Sequence, residues 1–515
     1  MKSSTKNTIE RKSKYKYYLL IEGIIVGLLT GAIVSLFRVT LERAQEVRDW
    51  YLYAASKQPF YAVIGICVVI FIAMIAYLMV KKIPLISGSG IPQVKGELKG
   101  QIDAPWYKVL IAKFVGGVLV IGGGLSLGRE GPSIQLGAMV GKGFSKGLKR
   151  MKTEEKMMIT CGAGAGLAAA FNAPLAGVVF ALEELHKNFS TEVLLTTMAA
   201  TVASDCVASY IVGLKPVFNI PLPETLPIGK YWAVLVLGAV LGVLGVLYNK
   251  SIAFAQNKYD KIKIKGMKAA IPAIFVVIFA IVYPKVLGSG HFLVEYSCGK
   301  ELLVGGLIVL FVLKFLFSVI SFSSGAPGGI FLPLLVMGAV LGAIYSGAMA
   351  PLLGGNIYVA NFVILGMVGY FSAIVKAPIT GVILITEMTG DFSNFLSLAL
   401  VALISYIVSE LLKGKPIYSQ LLDRMLEKSG EEKEAKGEKI LAEADVYFGS
   451  EMDGAPLSKI DLPKGCLVVS VERNGREIVP NGKTVLQGGD KIVILCDEYK
   501  MAVLESTLER KCRKF

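Results

Sequence analysis

Histidine is nearly missing from this chain, with two in 515 residues, and the seven cysteines stand far apart at Cys67, Cys161, Cys206, Cys298, Cys466, Cys496 and Cys512. No Cys-x-x-Cys pair occurs, so neither a zinc centre nor a disulfide framework is expected. Charge is scarce too: 18% of residues are Asp, Glu, Lys or Arg and 54% are apolar, against about 25% and 45–50% in soluble domains. With a mean hydropathy of +0.61, these numbers exclude a soluble enzyme, and no catalytic triad, metal cluster or phosphate loop competes. The net charge of +15 could suggest a nucleic-acid partner, yet from residue 438 onward 12 basic residues face 13 acidic ones. The excess therefore lies in short loops of the apolar part, such as 142–156 and 258–268. That is a membrane-topology signal, and no nucleic acid is expected.

What the chain has in quantity is long apolar sequence. Residues 61–80, "YAVIGICVVIFIAMIAYLMV", carry no charge and supply the ~20 residues that cross ~30 Å of hydrocarbon. Similar runs begin near Tyr17, Trp232, Ala269, Leu303 and Phe392. The reading is a polytopic all-α membrane protein with lipid as its neighbour. No cleavage site follows the first run, 17–37, so no signal peptide is expected. The basic residues at 2, 6, 11, 12, 14 and 16 place the N-terminus in the cytoplasm. Both termini are expected there, on a multi-pass protein of the cell (inner) membrane.

Four segments follow from hydropathy. Residues 1–16 form a basic tail, 17–425 a transmembrane domain, 426–437 a charged linker and 438–515 a small soluble α+β domain. In the last, "GCLVVSVER" and "DKIVILCD" read as strands between turn signals, with a closing helix over 501–510.

The membrane part repeats itself. "GREGPSIQLGAMVG" from Gly128 and "GIFLPLLVMGAVLG" from Gly329 match at an offset of 201, and "NAPLAGVVFALEEL" from Asn172 matches "KAPITGVILITEMT" from Lys376 at 204. Two matches in one order argue for a duplicated half, and transporter repeats are often inverted around a midplane site. Residues 131–141, ended by Lys142, would make ~17 Å of helix. Prolines 92, 132, 174, 333 and 378 stand near the starts of such segments, where a missing N–H costs little. Broken helices with N-termini in the protein interior are expected. Their free N–H groups and dipoles would make an anion site without a full positive charge. Small-residue helix packing is the competing explanation of these glycines.

The residues "GSGIP" (88–92), "GREGP" (128–132), "GGIFLP" (328–333) and "KPIYS" (415–419) together resemble the CLC family of chloride channels and proton-coupled chloride transporters. The resemblance spans essentially the whole membrane part. It implies a homodimer with one pore per subunit. It also implies a central chloride held by the hydroxyls of Ser89 and Tyr418 and by the backbone N–H groups of Ile330 and Phe331, with Glu130 as the external gating glutamate. Glu130 explains why a carboxylate stands between glycines in apolar sequence: ionised, it can take the place of a chloride, and protonated it swings out. Arg129 reads as a structural ion pair, and Lys95 as a loop charge near the anion entrance.

Glu183 and Glu184 point ~100° apart on a helix, so at most one faces the pathway. Glu183 has a repeat counterpart in Glu387, whereas Glu184 aligns with Met388. The shared carboxylate reads as structural and the unshared one as functional. The resemblance agrees, since Glu184 matches the internal proton glutamate of CLC exchangers. The leading expectation is therefore proton-coupled chloride exchange, with a passive voltage- or pH-gated chloride channel as the alternative. Residues 457–495 resemble a different family, the TrkA-C (RCK C-terminal) domain that regulates cation transporters. That resemblance implies dimerisation and a small regulatory ligand, a cyclic dinucleotide among the candidates. A cation transporter is disfavoured, because helix N-termini repel cations and no carbonyl filter appears. No cofactor is expected.

Overall fold

The computed structural model describes residues 2–187, 190–214, 216–218, 220, 225–264, 266–299, 303–429, 439–473, 475–497 and 501–512. They form two compact units, Met1–Leu98 with Ala104–Leu422 and Lys99–Asp103 with Asp423–Phe515. From residue 430, the expected linker lies outside the described residues.

The first unit is helical throughout. Six of its helices are long and apolar enough to cross a membrane: Tyr17–Ala55, Val63–Lys82, Thr191–Val212, Ile228–Asp260, Val304–Ser323 and Phe331–Leu353. The chain is a multi-pass membrane protein. Hydropathy does not say which apolar helix meets lipid. The window through Val63–Lys82 is 6% buried, so its side chains are left to hydrocarbon. The equally apolar helix Val359–Val375 is buried at every position and forms the core of the second half.

The repeat is inverted. Equivalent glycines of the two halves, Gly128 and Gly329, pair antiparallel and exchange both backbone hydrogen bonds, at 2.6 and 2.8 Å. Two copies meeting antiparallel at equivalent residues run in opposite directions through the fold. The Gly-Ala-x-x-Gly ends of the motifs do what small residues do in membranes. A side chain on Gly137 would strike the Gly162 carbonyl, and one on Gly141 the Met158 carbonyl. In the second half, Gly338 and Gly342 meet the Gly366 and Phe362 carbonyls in the same way.

One expectation is corrected here. Lys142 does not end its helix, which runs on from Glu130 to Gly147 over 18 residues, about 27 Å at 1.5 Å per residue. The charge is tolerated because Lys142, fully buried, donates to Glu97 Oε2 at 2.7 Å. Short broken helices do occur: Ile91–Leu98, Pro174–Phe180, His291–Ser297 and Pro378–Thr389. Pro174 and Pro378 open theirs, where the ring fits without loss of a helical bond.

The second unit holds a four-stranded antiparallel sheet, β1 (Lys439–Asp445), β2 (Leu467–Arg473), β3 (Arg476–Ile478) and β4 (Lys491–Asp497), in the order β1-β4-β2-β3. The helix Met501–Cys512 buries Leu504 and Leu508 against Ile492, Ile494 and Cys496. Arg473 clasps the buried Asp490 through two hydrogen bonds of 2.7 Å, which holds that carboxyl below the usual carboxylate range.

Candidate functional site

The glycine bridge sets the geometry of the site. It brings the starts of helices Glu130–Gly147 and Phe331–Leu353 together, one from each half. Gly131 lies against Ser89, where a side chain would meet the Ser89 Cβ at 2.9 Å. Glycine is therefore required at 131 by contact, not by backbone conformation. Glu130 is fully buried. Its Oε2 accepts from the backbone N–H of Leu332 at 3.3 Å, and its Oε1 has no partner among the described residues. A carboxylate of one half thus lies on the N-terminus of the helix from the other half. That end of a helix carries unpaired N–H groups and about half a positive charge.

The other expected residues surround this point. Ile330 caps the helix Phe331–Leu353 and Phe331 begins it, both fully buried. The Phe331 ring packs against Phe371, Phe171 and Phe180, with centroids 4.8, 5.6 and 6.1 Å away. Ser89 is 2% exposed, and its hydroxyl accepts from the Ile91 N–H at 3.2 Å. Tyr418 stands in the first turn of the helix Ile417–Ser429 with its ring buried and its hydroxyl unpartnered among the described residues. The phenol lies within electrostatic reach of both Glu184 and Glu130.

Glu183 and Glu184 face different partners. Glu183 accepts from the Thr380 N–H at 2.8 Å, the Thr380 hydroxyl at 2.7 Å and the Ile379 N–H at 3.3 Å. Glu387 returns the arrangement, accepting from the N–H groups of Ala176 at 2.7 Å and Leu175 at 3.0 Å. Each carboxylate caps the first turn of the opposite half's helix. Glu184 points elsewhere. It sits on a single π-helical turn, Ala181–His186, a feature often found at functional positions. Its Oε1 accepts from Lys95 Nζ at 2.7 Å, and both side chains are almost fully buried.

Lys95 is therefore not a loop charge at an entrance. It stands in the helix Ile91–Leu98, 1% exposed, and also donates to the Ser419 hydroxyl at 2.8 Å. Arg129 makes the ion pair expected of it, reaching Glu42 Oε1 at 3.0 Å. It also lines a cavity of about 470 Å³ with Arg38, Arg48, His291 and Leu332, the last being the residue whose backbone N–H bonds Glu130.

Sequence reasoning missed a third repeated element. Lys113, buried in apolar sequence, donates to the carbonyls of Ile86 at 2.9 Å and Gly88 at 2.6 Å. Lys314 does the same to Val286 at 2.9 Å and Gly288 at 2.6 Å. Each lysine pins a Gly-Ser-Gly loop. The signal was available, because "GSG" recurs at 88–90 and 288–290 and the two lysines stand 201 apart.

An inverted repeat whose interior helix starts meet at one buried carboxylate is the architecture of a membrane transport protein. Residues 72–410 match the family model described as voltage gated chloride channel, and residues 441–508 match the TrkA-C domain. The chain belongs to the voltage gated chloride channel (CLC) family. A relative from Vibrio cholerae, named H(+)/Cl(-) exchange transporter ClcA, is 35% identical over 437 residues, covering 82% of this chain and 92% of that protein. A relative of the same name from Citrobacter koseri is 32% identical over 449 residues, covering 84% and 94%. Among solved structures, a slow cyanobacterial Cl-/H+ antiporter aligns with a TM-score of 0.77 at 30% identity, over 80% of this chain and 99% of that one. A eukaryotic CLC transporter shares the fold with a TM-score of 0.69 at 19% identity, over 80% of this chain and 74% of the other.

Proposed function

We propose that this protein exchanges protons for chloride across a cell membrane, with Glu130 as the external gate and Glu184 as the internal proton acceptor. The observation that carries the reading is the Glu130 carboxylate at the Leu332 N–H. An anion tethered at an anion-binding helix end competes directly with a free one, and taking up a proton removes it from that competition. The first-turn N–H groups of Ile330 and Phe331, with the hydroxyls of Ser89 and Tyr418, would hold the chloride. A phenol buried without a partner among the described residues suits that task, since a buried donor needs an acceptor. The named activity of the relatives points the same way.

The subunits would pair as a homodimer with both termini in the cytoplasm of an inner membrane. The TrkA-C domain would adjust transport in response to a small ligand such as a cyclic dinucleotide. Reconstitution in liposomes tests the central reading. An imposed chloride gradient should drive protons uphill, and chloride flux without proton movement would leave the passive channel in its place.

A further inference from the structure

Ser89 and Ser289 are repeat counterparts on loops held in the same way. Lys113 and Lys314 bond the two loops at the same pair of distances. Ser89 is buried, and its hydroxyl is engaged with the Ile91 N–H. Ser289 is half-buried and lines the cavity of about 470 Å³. Its hydroxyl has no partner among the described residues.

Guanidiniums share that lining. Arg48 lies against the loop itself, where a side chain on Gly288 would meet its Nη1 at 2.9 Å. Nε and Nη2 of Arg48 are taken by Asp49, at 2.9 and 2.8 Å, and Nη1 has no partner among the described residues. Arg38 and Arg129 both reach one oxygen, Glu42 Oε1, at 3.3 and 3.0 Å. Nε of Arg129 is likewise unpartnered among the described residues. The lining thus sets three guanidiniums against two carboxylates. Asp205, within electrostatic reach of Arg38, stands outside it.

The proposed chloride site is made of N–H groups and hydroxyls, without a full charge. This cavity is made with full charges, which favour retaining an anion over passing it on. A guanidinium fork matches the oxygens of an oxyanion and gains nothing of that kind from a round halide. Donors on three separate segments, Ser289, Arg48 and Arg129, suit several oxygens at once. A volume of about 470 Å³, against about 30 Å³ for one water, leaves room for such an ion with part of its hydration.

We propose that this cavity binds a small tetrahedral oxyanion of the phosphate or sulfate kind, apart from the chloride site. Ser289, Arg48 and Arg129 donate to its oxygens, and its charge balances the surplus guanidinium. Leu332 lines the cavity and also holds Glu130, so the occupant rests beside the proposed gate. The binding stands on this geometry alone; only the naming of its side as external rests on the assignment of Glu130.

Inorganic phosphate titrated into the purified full-length protein, in chloride-free buffer and followed by calorimetry, tests it. The parent should bind a single phosphate per chain. Ser289→Ala and Arg48→Gln should each weaken binding by about 10-fold or more, the loss expected of a hydrogen bond to a charged group. Arg48→Lys, with the charge but not the fork, should fall between Arg48→Gln and the parent. Phosphate should also raise the unfolding temperature of the parent more than that of Ser289→Ala. No phosphate binding by the parent, or parental affinity in Ser289→Ala, overturns the proposal. Complete displacement of phosphate by chloride at equal concentration overturns it as well, and makes the cavity an antechamber for the transported halide. Ser289→Ala removes a hydroxyl with no partner among the described residues, so the test survives a misfolded Arg48→Gln. Loss of proton coupling in liposomes would instead defeat the assignment of Glu130 and leave the phosphate site standing.

Discussion

The two inverted halves of the membrane unit agree in their scaffold and disagree in their charges. Each pins a Gly-Ser-Gly loop with a buried lysine, Lys113 in one and Lys314 in the other. Each lends a glutamate to cap the other's helix, and each packs a Gly-Ala-x-x-Gly face against a neighbouring carbonyl ridge. At the offsets of the repeat, however, Glu130 corresponds to Phe331, Glu184 to Met388 and Lys95 to Glu295. Symmetric positions build the frame because a frame can be built twice. A pathway that treats its two ends differently needs groups present once. Variants that exchange or erase these differences therefore test the proposed function most directly.

The largest effect belongs to Glu130. Glu130→Gln, which keeps the shape but not the charge, should abolish proton coupling while chloride continues to pass. Liposome flux with a pH indicator measures both at once. A variant that still pumps protons under a chloride gradient would falsify the gating role.

Next comes the adjacent pair. Glu184→Ala should stop proton movement and leave chloride flux, turning an exchanger into a leak. Glu183→Ala and Glu387→Ala should keep the coupling ratio and lose stability instead, by similar amounts. Each removes hydrogen bonds to a carboxylate at a helix start, worth about 1–3 kcal/mol. Thermal unfolding in detergent would show matched shifts. If Glu183→Ala uncoupled transport and Glu387→Ala did not, the symmetry argument would fail.

Much of this was legible in the sequence because duplication leaves an offset that can be counted. The repeat alone marks Glu183 and Glu387 as a structural pair, and Glu130 stands out as a charge where lipid forbids one, although only the family resemblance implies a gating role for it. Four things were not legible. Lys95 reads as a loop charge because its partner, Glu184, lies 89 residues away. Lys142 reads as a helix end for the same reason, its partner Glu97 being 45 residues distant. Burial of a charge depends on tertiary pairing, which local hydropathy cannot register. The π-turn under Glu184 leaves no compositional mark, and strand β1, "KILAEAD", alternates too weakly to announce itself. The recurring Gly-Ser-Gly loops were readable and were masked by the stronger proline motifs.

The smallest predicted effect concerns the two hydroxyls, and it sharpens the comparison from the symmetric side. Ser89 has a repeat counterpart in Ser289, whereas Tyr418 lies beyond the repeat. Their environments differ as well. The Ser89 oxygen already accepts from the Ile91 N–H and so helps hold its own loop. The Tyr418 hydroxyl has no partner to lose among the described residues. Tyr418→Phe should accordingly weaken chloride binding without touching stability, and Ser89→Ala should lower both. A net hydrogen bond is worth about 0.5–1.5 kcal/mol, so the loss of affinity is severalfold in each case, read by calorimetry with chloride. Equal affinity in the parent and Tyr418→Phe would remove the phenol from the site and leave the backbone N–H groups of Ile330 and Phe331 to hold the anion with Ser89.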